Sequence, residues 1–264
     1  MSSLKTNTQL GVLNLNWFDT VTGSLEDLEG LVNLRVLEMD GVKEVVGSLS
    51  YLQNMPLTVL GLLSLSKVEG SLSHLRNLQL TFLDLYDLSK VEGSLSHLQI
   101  MQLTFLSLTH VSKVEGSISH IQNMPLTFLS LGDLSKVEGS LSHIENMPLS
   151  ILQLFSLSKV EGSVSHIQSM QLKYLSLGGT SVSGTPSQSL VSRCKEPTTT
   201  CIFTPAPKMC EASERIVGLT CEPCPNCGAN GECLYGMDES DYLCESCHSG
   251  EFKVRQNGQG GREG

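Results

Sequence analysis

The sequence predicts a solenoid of stacked parallel strands, an α/β-type repeat fold that is rich in β-structure. Three observations predict it. Gly-Ser pairs beginning at Gly47, Gly70, Gly93, Gly116, Gly139 and Gly162 recur every 23 residues. Leucines open eight in-phase units, at Leu10, Leu34, Leu57, Leu80, Leu103, Leu126, Leu149 and Leu172. Each unit also carries a short apolar alternation, such as Leu83 and Leu85, ahead of its Gly-Ser pair. A fixed period in this range marks a repeat array whose units bury their apolar faces only by stacking.

The unit from Leu80 shows how one repeat is built. Leu83 and Leu85 alternate with polar residues or aromatics, as in a short strand buried on one face. Val91 points inward before the turn at Gly93-Ser94. Ser94 is a candidate N-cap for one turn of 3₁₀ or α-helix that carries Leu95 and Leu98 inward. In other units Pro56, Pro125 and Pro148 end that turn ahead of the next strand. Successive strands then stack about 4.8 Å apart over one continuous leucine core.

This layout resembles the leucine-rich repeat family, whose strand signature is L-x-x-L-x-L-x-x-N-x-L. The unit LTFLDLYDLSKVEGSLSHLQIMQ from Leu80 carries the first part of it. The V-x-G-x-L that follows resembles the L-x-G-x-I-P extension of the plant-type subfamily. LKYLSLGGTSVSGTP from Leu172 is the most similar stretch, with Thr180 at the asparagine position. The resemblance implies a horseshoe of about eight parallel strands, with short 3₁₀ or helical turns on the convex side and a ligand face on the concave side. Two departures stand out. The asparagine that bonds the turn amides is Leu65, Leu88, Leu134 or Leu157 here, or Val42 or Val111, so those amides need other partners. The nine residues before Leu10 form no obvious cap, which leaves the first apolar edge open to expectation.

Near-identical units turn each position into a column. His74, His97, His120, His143 and His166 form one on the convex side. Stacked imidazoles could bind a soft metal or charge together near pH 6, but no second ligand type stands beside them. The expectation is one solvated histidine copied by duplication. Lys67, Lys90, Lys113, Lys136 and Lys159 form a second column, and Glu69, Glu92, Glu115, Glu138 and Glu161 a third. Each would repel itself within the ~8 Å screening length and compensate its neighbour of opposite sign.

The strand face is the candidate binding surface. Its first outward column is apolar and largely aromatic in the middle: Phe82, Phe105, Phe128 and Tyr174 stand with Val36, Val59 and Ile151. The other outward columns vary from unit to unit and supply Asp84, Tyr86, Asp87, His110, Asp133, Gln153 and Phe155. Exposed aromatics in a row suggest a partner, a protein or a glycan. The alternative is rings folded against the sheet.

Composition excludes several classes. The formal charge is 17 minus 27, or −10, and neither the repeats nor the remainder is basic. That argues against a phosphate-neutralising nucleic-acid binder. No apolar run approaches the roughly 18 residues of a membrane span, and MSSLKTNTQL lacks the layout of a secretory signal. There is no P-loop, G-x-G-x-x-G, G-x-S-x-G or H-E-x-x-H. The recurring S-x-S-H lacks an orienting acid. No enzyme and no cofactor are expected within these residues.

The organisation read from the sequence is an N-terminal tail (1–9), a solenoid (10–192), a cap and linker (193–220), and a cysteine-rich module with its tail (221–264). All nine cysteines fall between Cys194 and Cys247. Cys194, Cys201 and Cys210 are placed to tie down the last turn of the solenoid. Two chemistries fit the rest. Cys224, Cys227, Cys244 and Cys247 have the C-x2-C-x16-C-x2-C spacing of a zinc site, leaving Cys221, Cys233 and His248 surplus. Alternatively the cysteines pair as disulfides. Cys227 to Cys233 resembles the C-x-x-x-G-x-C of EGF-like modules, and CESCHSGEFK from Cys244 resembles cysteine-rich receptor ectodomains of the ephrin-receptor type. Disulfides are the expectation, although none of the eleven asparagines lies in an N-x-S/T sequon. The functional expectation is a non-enzymatic recognition module of a larger secreted or cell-surface protein. Its rival is an intracellular scaffold with a structural zinc site.

Overall fold

The computed structural model describes residues 1–18, 20–194, 200–202, 214–217 and 220–223. Within it the repeats stack as two parallel sheets joined by 3₁₀ turns. The concave sheet has nine strands: Val12–Asn14, Val36–Asp40, Val59–Leu63, Phe82–Asp84, Phe105–Ser107, Phe128–Ser130, Ile151–Gln153, Tyr174–Ser176 and Thr200–Ile202, each beside the next. Their register is flat: Phe82, Phe105, Phe128, Ile151 and Tyr174 stand opposite one another in turn. The columns read from the sequence are real columns.

The core follows the period. In the unit from Leu80, Leu83, Leu85, Leu88, Val91, Leu95 and Leu98 are fully buried, each contributing roughly 1.5–3 kcal/mol as it leaves water. Ser94 caps as expected: its Oγ accepts from Ser96 N–H at 3.2 Å, and the 3₁₀ turn Leu95–Leu98 follows.

A second sheet lies on the flank, where the sequence suggested an inward valine and a turn. Its eight strands run from Thr22–Ser24 through Lys90–Ser94 and Lys113–Ser117 to Ser181–Ser183. Each strand except Ser181–Ser183 includes the glycine of a Gly-Ser pair. Gly93 has φ +121°, and a Cβ there would lie 3.0 Å from Ser71 Oγ and 3.1 Å from Leu72 N. Close approach of the previous unit and backbone conformation both demand glycine. The register here is staggered: Lys90, Lys113, Lys136 and Lys159 stand opposite Glu69, Glu92, Glu115 and Glu138 of the preceding unit. Same-sign columns are therefore replaced by alternating ones. Lys67 makes an ion pair at 2.7 Å with Glu44, which holds the lysine position of its own unit.

The turn after each concave strand does without asparagine. Its eighth residue adopts the left-handed conformation at Trp17, Ser64, Asp87, His110, Asp133 and Ser156, with φ between 57° and 65°. The N–H of Asp87 donates to Thr109 O at 3.0 Å, and that of His110 to Gly132 O at 3.1 Å, so the ladder continues past the strand. The following leucine closes the turn through its carbonyl, as in Val91 N–H to Leu88 O at 3.0 Å. A second ladder precedes the strand. The hydroxyls of Thr81, Thr104 and Thr127 each donate to the carbonyl of the corresponding residue one unit earlier.

The histidine column is half-buried, and its members differ in what they bond. His97 Nδ1 lies 3.3 Å from Ser94 N–H and His143 Nδ1 3.4 Å from Ser140 N–H, completing capping boxes, whereas His120 Nδ1 meets Ser117 O at 3.0 Å and His166 Nδ1 meets Glu145 at 2.7 Å. Asp27 holds the same place in the first unit, accepting from Ser24 N–H at 3.1 Å. Among the described residues no group of three or more histidine, cysteine or acidic side chains is gathered for a metal.

Both ends of the described solenoid are covered. Met1 and Leu4 pack against the first unit, where Lys5 pairs with Asp27 at 3.1 Å and Asn33 Nδ2 donates to Thr8 O at 2.8 Å. The expected open edge is thus partly closed by the N-terminal residues. At the other end the helix Gln188–Cys194 leads to Thr200–Ile202, whose Cys201 stands opposite Leu175. Cys194 and Cys201, both buried, are joined by a disulfide. Glu214–Val217 and Thr220–Pro223 form an antiparallel hairpin that includes the backbone of Cys221. Cys210, Cys224, Cys227, Cys233, Cys244, Cys247 and His248 lie outside the described residues, so both readings of the cysteine-rich module remain expectations. Among the described residues no helix is long and apolar enough to cross a membrane.

Candidate functional site

The middle units of the concave sheet enclose a hollow of about 320 Å³. Its floor is made by the shortest side chains on this face. Ser107, Thr109 and Ser130 are only 3–5% exposed and sit where neighbouring units carry Asp84, Tyr86, Gln153 and Phe155. Phe105 and Phe128 form one wall, while Tyr86, His110 and Phe155 form the other.

Each wall is held by contacts among its rings. Phe105 stacks between Phe82 and Phe128, with centroids 4.2 and 4.1 Å away and planes within 15°. The rings are half-buried, so the stripe is neither free in solvent nor folded out of reach. Across the hollow, His110 meets Tyr86 edge-on at 5.2 Å and Phe155 at 6.4 Å. Asp133 Oδ2 fixes the imidazole through Nδ1 at 2.8 Å.

The floor is hydrogen-bonded in one direction. Ser130 donates to Gln153 Oε1 at 2.6 Å. Its single proton being committed, Thr109 must be the donor in the 2.6 Å bond between the two hydroxyls. Asp84 accepts from Tyr86 N–H at 3.1 Å. Burial pushes the Asp84 carboxyl above its usual range; the Tyr86 N–H and the neighbouring Ser107 hydroxyl oppose the effect, and the nearby charge of Asp40 adds to it.

No protein-family model matches the chain, and no curated protein is similar enough to match it. Solved structures do match. A plant peptide hormone receptor, RGFR1 in complex with RGF2, superposes with a TM-score of 0.54 at 18% identity, over 71% of this chain and 31% of the receptor. A plant ice-binding protein superposes with a TM-score of 0.54 at 14% identity, over 73% of this chain and 72% of that one. The fold is a leucine-rich-repeat solenoid. This chain spans less than a third of the receptor's length, and a peptide receptor and an ice-binding protein superpose on it equally well. The architecture therefore does not choose the function; the site must.

Of the ten residues expected to meet a partner, Asp84, Tyr86, Phe105, His110, Phe128 and Phe155 line the hollow of the leucine-rich-repeat face. Phe82 supports it from behind by stacking on Phe105, and Asp133 through His110. Asp87 is exposed at a left-handed turn, and Tyr174 stands two units beyond Phe128. Leu63, Ser107, Thr109 and Ser130 also line the hollow. The signal for the last three was the run of small polar residues at outward positions of two consecutive units, between bulkier neighbours on both sides.

Proposed function

We propose that the chain is a non-enzymatic recognition module that binds a protein partner on the concave face of its leucine-rich-repeat solenoid. The observation that carries this reading is the hollow at the middle units, walled by rings on two sides and floored by bonded hydroxyls. Aromatic anchors around a small set of fixed polar groups are what a specific interface needs. A solved neighbour of the same fold, described as a plant peptide hormone receptor in complex with RGF2, supports it. The buried Cys194–Cys201 disulfide supports a place in a larger secreted or cell-surface protein, since such bonds persist in oxidising compartments.

The test is capture of a partner from the native source. Phe128→Ser and Phe155→Ser should each lose it, and a Lys113→Ala, Glu115→Ala double variant on the flanking sheet should retain it. Equal recovery by all of them would remove the concave face from the reading. Intact mass with and without reductant, beside a chelator, separates disulfides from zinc in the cysteine-rich end.

A further inference from the structure

The chemistry of the hollow restricts what it can hold. Four positions of each unit face outward from the concave strand and its turn, the third, fifth, seventh and eighth, making 32 in eight units. Five of them are carboxylates, Glu38, Asp40, Asp84, Asp87 and Asp133, and none is lysine or arginine. His110 bonds Asp133, whereas Asp84 lies partly buried at the edge of the floor with Asp40 close by.

Two hydroxyl protons of the floor are committed within the protein. Thr109 donates to Ser130 and Ser130 to Gln153, while the Ser107 hydroxyl stands beside Asp84. What the floor offers a visitor is lone pairs, on Thr109 Oγ1 and on the Asp84 carboxylate. An acceptor set against Thr109 and Asp84 would lose its water without finding a donor in either. A neutral donor would leave the carboxylate uncompensated. The occupant that satisfies both is a cation rich in N–H groups, flat enough to lie against rings.

We propose that the hollow between Phe105, Phe128, Tyr86 and Phe155 takes an arginine side chain of a basic peptide, its guanidinium bonded to Asp84 and Thr109. A guanidinium has five donors and no acceptor, pairs with carboxylates through two parallel bonds, and stacks on aromatic faces. The Gln153 amide nitrogen, at the far end of the hydroxyl chain, is then placed to donate to a peptide carbonyl. This inference rests on the concave-face reading and gives that face its ligand chemistry.

The experiment is calorimetric titration with four probes: hexa-arginine, hexa-lysine, hexa-glutamate and a neutral cello-oligosaccharide. Arginine peptide should bind, more tightly than lysine peptide, while the other two should not. Asp84→Asn should weaken hexa-arginine about tenfold or more, because a desolvated charge partner is lost. Asp87→Asn removes the same charge from an exposed position and should change binding less than about threefold. Thr109→Val should also weaken arginine peptide, with a thermal melt confirming that each variant is folded. Equal effects of Asp84→Asn and Asp87→Asn would reduce the attraction to general charge and overturn the assignment. So would binding of the sugar or the glutamate peptide in a manner lost with Phe128→Ser, although the concave-face reading would then stand. Failure of every probe to bind overturns the arginine assignment alone, since capture of the native partner tests the face independently.

Discussion

The ring of Phe155 occupies the space that a side chain at Gly132 would fill. A Cβ built on Gly132 runs into that ring, and the two residues hold the same place in consecutive units. The wall of the hollow therefore depends on a missing side chain one repeat earlier.

Gly132→Ala should push the Phe155 ring away from the sheet and from His110. Gly132 does not have the positive φ that alanine resists, so the backbone tolerates the change. Lower unfolded-state entropy, worth about 0.4–1 kcal/mol, partly offsets the lost ring packing. A melting temperature within a few degrees of the parent, together with moved ring-current shifts of His110 in NMR spectra, is the expected result. An unmoved His110 signal would show that Phe155 packs elsewhere.

Phe105→Ser should destabilise the solenoid as well as alter the site. It breaks two stacks, each worth about 0.5–1.5 kcal/mol beyond burial. Phe105→Leu keeps apolar area and should recover part of the loss. Urea unfolding measures both variants; a serine variant as stable as the parent would mean that the rings do not pack on each other in solution.

Asp27 and Asp84 should respond to acid with opposite signs. The Ser24 N–H and the Lys5 ammonium hold Asp27 below its usual range. Its contribution is complete above the unfolded carboxyl value and fades as pH falls through the lower folded one. Asp84 is raised by burial, so its cost is absent at acid pH and grows as pH rises through the unfolded value to the folded one. Asp84→Asn should therefore stabilise the protein at neutral pH and converge with the parent in acid. Asp27→Ala should lose about 1 kcal/mol of capping at neutral pH, and less at low pH. Melts between pH 2 and 7 read both.

Reducing the Cys194–Cys201 bond should loosen the last concave strand before the rest. A short loop of this kind is worth about 2–3 kcal/mol in the chain-entropy account. Loss of Thr200–Ile202 would bare the edge of Leu175 and Leu177, which are now almost fully buried. Hydrogen exchange with and without reductant should show protection lost first in residues 174–177. Uniform loss along all units would contradict an end effect.

The sequence made the solenoid legible because a copied pattern averages out local ambiguity. Leu83, Leu85 and Leu98 each sit in a column whose members must all face one way. The flanking sheet was harder to see, since Lys90–Ser94 has one inward residue, Val91, and ends in a glycine that reads as a turn. Nor did Asp87, His110 or Asp133 announce a left-handed turn, being ordinary polar residues in any other place. At the site, Phe105, Phe128 and Phe155 were visible as large side chains. The hollow itself was not, because it is made by what Ser107, Thr109, Ser130 and Gly132 lack relative to their neighbours.

The staggered register of the flanking sheet bears on how such an array can grow. Glu92 meets Lys113, Glu115 meets Lys136 and Glu138 meets Lys159, so each unit offers an acid forward and a base backward. A unit spliced in at any of these junctions finds the same complementary edge on both sides. Gain or loss of a repeat by recombination leaves the junction chemistry unchanged and moves only the outward concave residues. The flank can thus stay constant while the binding surface lengthens, shortens or is reshuffled in steps of one strand.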